Sequence, residues 1–87
     1  MTSWHVEFIA PNREAADRSA KSEFAKSARL NPNHAAIHAA ARILIAQMPD
    51  AAGKFVRVQC TGHIDSRDGH EYAKVELLVQ LVKVVNG

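Results

Sequence analysis

The chain reads as an α+β fold: a two-layer unit with a three-stranded sheet and two helices packed on one face, in the order β-α-α-β-β. Three observations lead there. The hydrophobic period is two at the start, close to 3.6 through the middle, and two again from Lys54 onward. Pro11, Asn31-Pro32, Pro49 and Asp68-Gly69 punctuate the chain where elements begin or end. The composition, 47% hydrophobic and 23% charged over 87 residues, is that of a globular chain of single-domain size, so one domain over 1–87 is expected.

The first strand is expected over about 3–10. Trp4, Val6 and Phe8 alternate with His5 and Glu7, the signature of a strand with one face buried. Pro11 stops it. Asn12 then serves as a helix N-cap, with Glu14 in the first turn. The first helix is expected over about 12–30. Ala16, Ala20, Phe24 and Ala28, with Ser27 among them, share its apolar arc. Arg18, Ser22, Lys26 and Arg29 share the opposite arc, with Lys21 beside it.

Asn31-Pro32 reads as a second N-cap followed by a proline in the first turn, opening a helix over about 32–48 that ends before Pro49. Ile37, Ala41, Leu44, Ile45 and Met48 are its expected buried face, and its many alanines permit close approach of a neighbour. After the connector Asp50–Gly53, a strand over about 54–64 puts Val56, Val58 and Cys60 on one side. Residues 64–70 read as a turn region, with Asp68-Gly69 supplying positive φ. The return strand, over about 71–85, carries Val75, Leu77, Val79 and Leu81 on one face. Its other face carries Lys74, Glu76, Leu78, Gln80, Val82 and Val84. Being apolar on both faces in its distal half, it is expected either at the centre of the sheet, the preferred place, or covered by another chain.

Several function classes are set aside by composition. No apolar run approaches the roughly 20 residues that cross a bilayer, so no membrane association is expected. The N-terminus shows no secretory pattern. A single cysteine, Cys60, excludes an internal disulfide or a multi-cysteine zinc site, which suits a reducing, cytoplasmic setting. The net charge of +2 lacks the excess of a dedicated nucleic-acid binder. The core is thin because so many apolar residues are alanine, so burial against a second copy is expected. Leu78, Val82 and Val84, on the uncovered face of the sheet, are the expected contact.

Three constellations carry chemistry. His34, His38 and Arg42 recur every fourth residue on the second helix. A metal held by the two histidines needs a third ligand, from His63, Asp65 or His70. The segment His-Ala-Ala-Ile-His lacks the glutamate of the zinc-protease motif, and a solvated helix edge is the preferred reading, with no metal or other cofactor expected. Around the turn, His63 suits a general base oriented by Asp65 or Glu71, and Cys60 is a conceivable nucleophile, although it shares the strand face of Val56 and Val58 and is preferred as a buried small hydrophobe. No nucleophile elbow or phosphate loop accompanies them, so ordinary hairpin chemistry is preferred, with Gly62 marking a bulge or a close approach and no catalytic residue assigned. His63, Asp65, Arg67 and His70 are the expected contacts for any ligand. Finally, Arg18, Lys21, Lys26 and Arg29 form a basic face that suits phosphates, diluted by Glu14, Asp17 and Glu23.

The stretch Trp4-His5-Val6-Glu7-Phe8-Ile9-Ala10-Pro11, the Ala-rich helical middle, and Val56-Arg57-Val58-Gln59-Cys60-Thr61-Gly62-His63 together resemble a loose group of small phage and prophage proteins. The resemblance spans most of the chain on short motifs. It implies a phage accessory protein in the host cytoplasm and carries over no catalytic residue. The favoured expectation is therefore a non-enzymatic protein that binds a host protein or a small anionic ligand as a homo-oligomer. The alternatives are a nucleic-acid binder using the basic face and a metal-dependent hydrolase using His34 and His38.

Overall fold

The alternating N-terminal residues form β1 (Thr2–Ala10), followed by α1 (Arg13–Lys26), α2 (His34–Ala46), β2 (Lys54–Arg67) and β3 (His70–Lys83). The computed structural model describes residues 2–31 and 33–83. The three strands make one antiparallel sheet in the order β1-β2-β3, with both helices on one face, so the α+β class and the β-α-α-β-β order hold.

The centre of the sheet is β2, which corrects the expectation that the return strand lies there. Connectivity decides it. The hairpin binds β3 to one edge of β2 along its whole length, and β1 comes back to the other edge. That leaves β3 at an edge, so its two apolar faces are incompletely covered. Leu77, Val79 and Leu81 are half-buried, Leu78 is 47% exposed and Val75 37% exposed. The hairpin is also longer than expected. Residues 64–67 are strand, paired without interruption to Arg67↔His70, and only Asp68 and Gly69 form the loop. Both have positive φ, 54° and 78°, the geometry of a two-residue type I′ turn whose twist matches that of the strands.

Asn12 caps α1 as expected, its side-chain oxygen accepting the Ala15 N–H at 2.8 Å. The helix stops at Lys26, earlier than the expected limit of 30, because the chain must double back to begin α2. Ser27 leaves helical geometry at the C-cap and donates its hydroxyl to the Phe24 carbonyl at 3.0 Å. Arg29 therefore sits in a turn beyond the helix. Asn31 is 2% exposed and accepts the Asn33 N–H through Oδ1, so it bridges the turn rather than capping α2. Asn33 holds the cap position, without a side-chain cap bond, and α2 runs over His34–Ala46 instead of 32–48. Pro32 and Val84 lie outside the described residues.

The core lies between the sheet and the helices. Trp4, Val6 and Ala10 of β1 and Val56, Val58 and Cys60 of β2 meet Ala16, Ala20 and Phe24 of α1 and Ala41 and Ile45 of α2. Four of these eleven buried residues are alanines, so the layer is thin, as expected from composition. Ile37 and Met48 pack at its margin. Among the described residues, no helix is long and apolar enough to cross a membrane. The molecule is elongated, 50 × 26 × 19 Å, because β2 and β3 run on past the helices.

Candidate functional site

The face of the sheet opposite the helices is uncovered, and strand alternation decides what it shows. In antiparallel pairs, residues directly opposite point to the same side. The register places Ile9, Arg57 and Gln80 on one rung, then Glu7, Gln59 and Leu78, then His5, Thr61 and Glu76, then Ser3, His63 and Lys74. Beyond β1 the two-stranded arm adds Asp65 opposite Tyr72 and Arg67 opposite His70.

This face has two ends. At the β2 start, Phe55 and Val82 are paired and half-buried beside the exposed Ile9 and Leu78. Among these apolar groups stands an ion pair. Arg57 donates to Glu7 at 2.7 Å, and His5 donates from Nε2 to the other carboxylate oxygen at 3.1 Å. The hydrogen bond from Arg57, and after it that from His5, holds the Glu7 carboxyl below the usual carboxylate range. At the other end, Ser3, His5, Thr61, His63, Lys74 and Glu76 rim an open depression of about 580 Å³.

The Ser3 hydroxyl and His63 Nδ1 lie 3.2 Å apart. With Ser3 donating, the neutral imidazole keeps its proton on Nε2 and presents it outward as a donor. Lys74 stands opposite His63, so an ammonium, an imidazole and two hydroxyls gather around one spot. That set suits an anionic group, with Glu76 on the neighbouring rung limiting how much negative charge it takes.

Gly62 lies directly opposite Trp4 on the helix-covered side, and a Cβ there would overlap the indole carbons Cε2 and Cζ2. The glycine is therefore a close-approach position and not a bulge: the pairing of β1 with β2 runs through it unbroken. This accounts for the Gly62-His63 step, since Gly62 seats the tryptophan beneath the sheet while His63 points to the open face.

The four expected ligand contacts all fall on that open face. His63, Asp65 and Arg67 occupy alternate positions of β2, and His70 is opposite Arg67. They are strung along the arm, about 13 Å from His63 to Arg67 at strand rise, and do not converge. Asp65 is partly occupied locally, accepting the Ser66 N–H at 2.9 Å. Glu71 is opposite Ser66 on the other face of the arm, so it cannot orient His63. Cys60 faces the helices with no solvent exposure, and burial pushes its thiol up to about 11, the behaviour of an inert core residue. Ser3, His5, Thr61, Lys74 and Glu76 were not foreseen as one group. Their opposition to Trp4 and Val56 was readable from the period of two, but the register that joins residues 3, 63 and 74 was not.

The helix candidates do not assemble a metal site. His38 stacks on Phe24, with centroids 5.8 Å apart and planes at 18°, and Arg42 is bound to Asp17 at 2.9 Å. The proposed third ligands, His63, Asp65 and His70, point away from the helix layer on the far side of the sheet. No group of three or more metal-ligating side chains occurs among the described residues. On the basic face, Arg18, Lys21, Lys26 and Arg29 are all exposed. Arg18 is paired with Glu14 at 3.2 Å and Lys26 with Glu23 at 2.9 Å, so half of the face is matched by carboxylates of its own helix.

Comparison with protein-family models, curated proteins and solved structures gives no match.

Proposed function

We propose that the chain is a non-enzymatic binding protein that works as a homo-oligomer and recognises a partner protein through the open face of its sheet. The observation that carries this reading is the pairing, on one uncovered face, of an apolar end (Ile9, Phe55, Leu78, Val82) with a polar end (Ser3, Thr61, His63, Lys74). A flat surface with apolar residues bordered by donors has the make-up of a protein-binding patch. A small-molecule site is more often an enclosed, mainly apolar cleft. The polar end takes an anionic group of the partner, a carboxylate held by Lys74 and His63.

The resemblance to phage proteins makes that partner a host protein and its setting the host cytoplasm. A non-enzymatic role is supported by the placing of Cys60, which is buried under the helices on the side of the sheet opposite His63.

The test is quantitative co-purification from the native host with tagged wild type, Ile9→Glu and Lys74→Glu, each altering an exposed side chain. A protein retained by wild type and lost from both variants is the expected result. The same set recovered with all three chains would refute recognition through this face.

A further inference from the structure

The helices cover only half of the long hairpin. Val56, Val58 and Cys60 are fully buried beneath them, and Leu77, Val79 and Leu81 pack at the margin. Further along the same side of the sheet, Ile64 is half-buried, Val75 is 37% exposed, and Ser66, Ala73 and Glu71 are exposed. The strand that runs along this whole length, β3, has an unpaired outer edge of fourteen residues, against nine for β1. From Val75 to Val82 that edge bears one charge, Glu76, and it has neither proline nor bulge. Free edges of this kind are templates for another strand.

We infer that β3 pairs antiparallel with β3 of a second copy about a two-fold axis near Leu77, merging two three-stranded sheets into one of six strands. The inference deepens the self-association in the proposed function by placing it at the free edge of β3, in place of the uncovered face where Leu78, Val82 and Val84 are expected to make it. Three features select a second copy as the occupant. Antiparallel pairing places the helix-covered half of each hairpin beside the bare half of the other, so α2 of each copy lies next to Ala73 and Val75 of its partner. With both sheets presenting their helices to the same side, Val75 of one copy lies opposite Val79 of the other, and Tyr72, 56% exposed, opposite Val82.

Charge is the third feature. Within the chain Lys54 and Lys83 are directly opposed, and neither they nor Glu71 takes part in an ion pair among the described residues. The two-fold register brings Glu71 of each copy opposite Lys83 of the other, meeting a like-charge pair with a carboxylate at both ends of the joint.

Light scattering on the whole chain, joined to amide hydrogen exchange, tests this. Wild type is expected at twice the chain mass, with every amide of residues 75–82 protected. An unpaired edge strand instead shows alternate slow and fast amides. Glu71→Lys, at an exposed position, sets lysine opposite Lys83 twice per dimer and is expected to weaken association about tenfold or more. The double variant Glu71→Lys/Lys83→Glu restores it. A dimer with alternating exchange along β3, or a dimer indifferent to Glu71→Lys, overturns edge pairing while leaving self-association standing. A monomer at high micromolar concentration overturns both.

Discussion

Replacing Gly62 by alanine puts a methyl group where the Trp4 indole lies, in a core with little slack. The expected cost is about 2–4 kcal/mol by chemical denaturation. Shortening the tryptophan in the same chain, Trp4→Leu, should recover part of that loss, and a double-mutant cycle measures the coupling. Cys60 gives a second residue-scale prediction. Burial pushes its folded thiol from the ordinary 9.0 up to about 11, so the folded state holds the proton more tightly than the unfolded chain. Its contribution is complete below pH 9 and falls away as pH rises from 9 to 11, with labelling by a thiol reagent at pH 8 limited by unfolding. Individual residues were unevenly legible. Asn12 as a cap, Cys60 as core and the outward His5 and Glu7 follow from local pattern. Gly62 needed its partner across the sheet before its purpose could be seen, because nothing near it in sequence carries the indole it accommodates.

Among the elements, α1 and α2 were found by their apolar arcs, and their ends were misjudged because the connection between them is stabilised by side chains that turn inward. Ser27 and Asn31 look like helix-compatible or capping residues in sequence, yet Ser27 donates to the Phe24 carbonyl in the last turn of α1 and Asn31 accepts the Asn33 N–H. Asn12→Ala, which removes the oxygen that receives the Ala15 N–H, is expected to lower stability by about 1 kcal/mol in thermal or denaturant unfolding. The placing of β3 shows the limit of reading burial from composition. A strand apolar on both faces suggests a central position, but hairpin connectivity leaves β3 at the edge, with a surplus of apolar residues that the proposed pairing with a second copy would cover. The arm of β2 and β3 beyond β1 has no helix over it. Backbone amides over residues 64–73 of the Glu71→Lys variant are therefore expected to exchange faster than those of residues 56–60.

For the whole molecule, the proposed pairing of β3 edges ties the stability of a thin core to concentration. The wild-type melting temperature is expected to rise as protein concentration increases over the micromolar range, and the Glu71→Lys variant to show a flatter dependence. The overall class was legible because the hydrophobic period changes twice along the chain. The candidate site was not, because it is made by pairing residues 3–5 with 61–63 and 74–76, a register that local pattern does not specify. That same long-range pairing has a practical outcome. Trp4 is the sole tryptophan, and it is sheltered only when the first strand has docked across from Gly62, fifty-eight positions away. Its fluorescence therefore reports the most distant closure in the chain. In a stopped-flow refolding experiment, the blue shift of emission marks the docking of the first strand against the second.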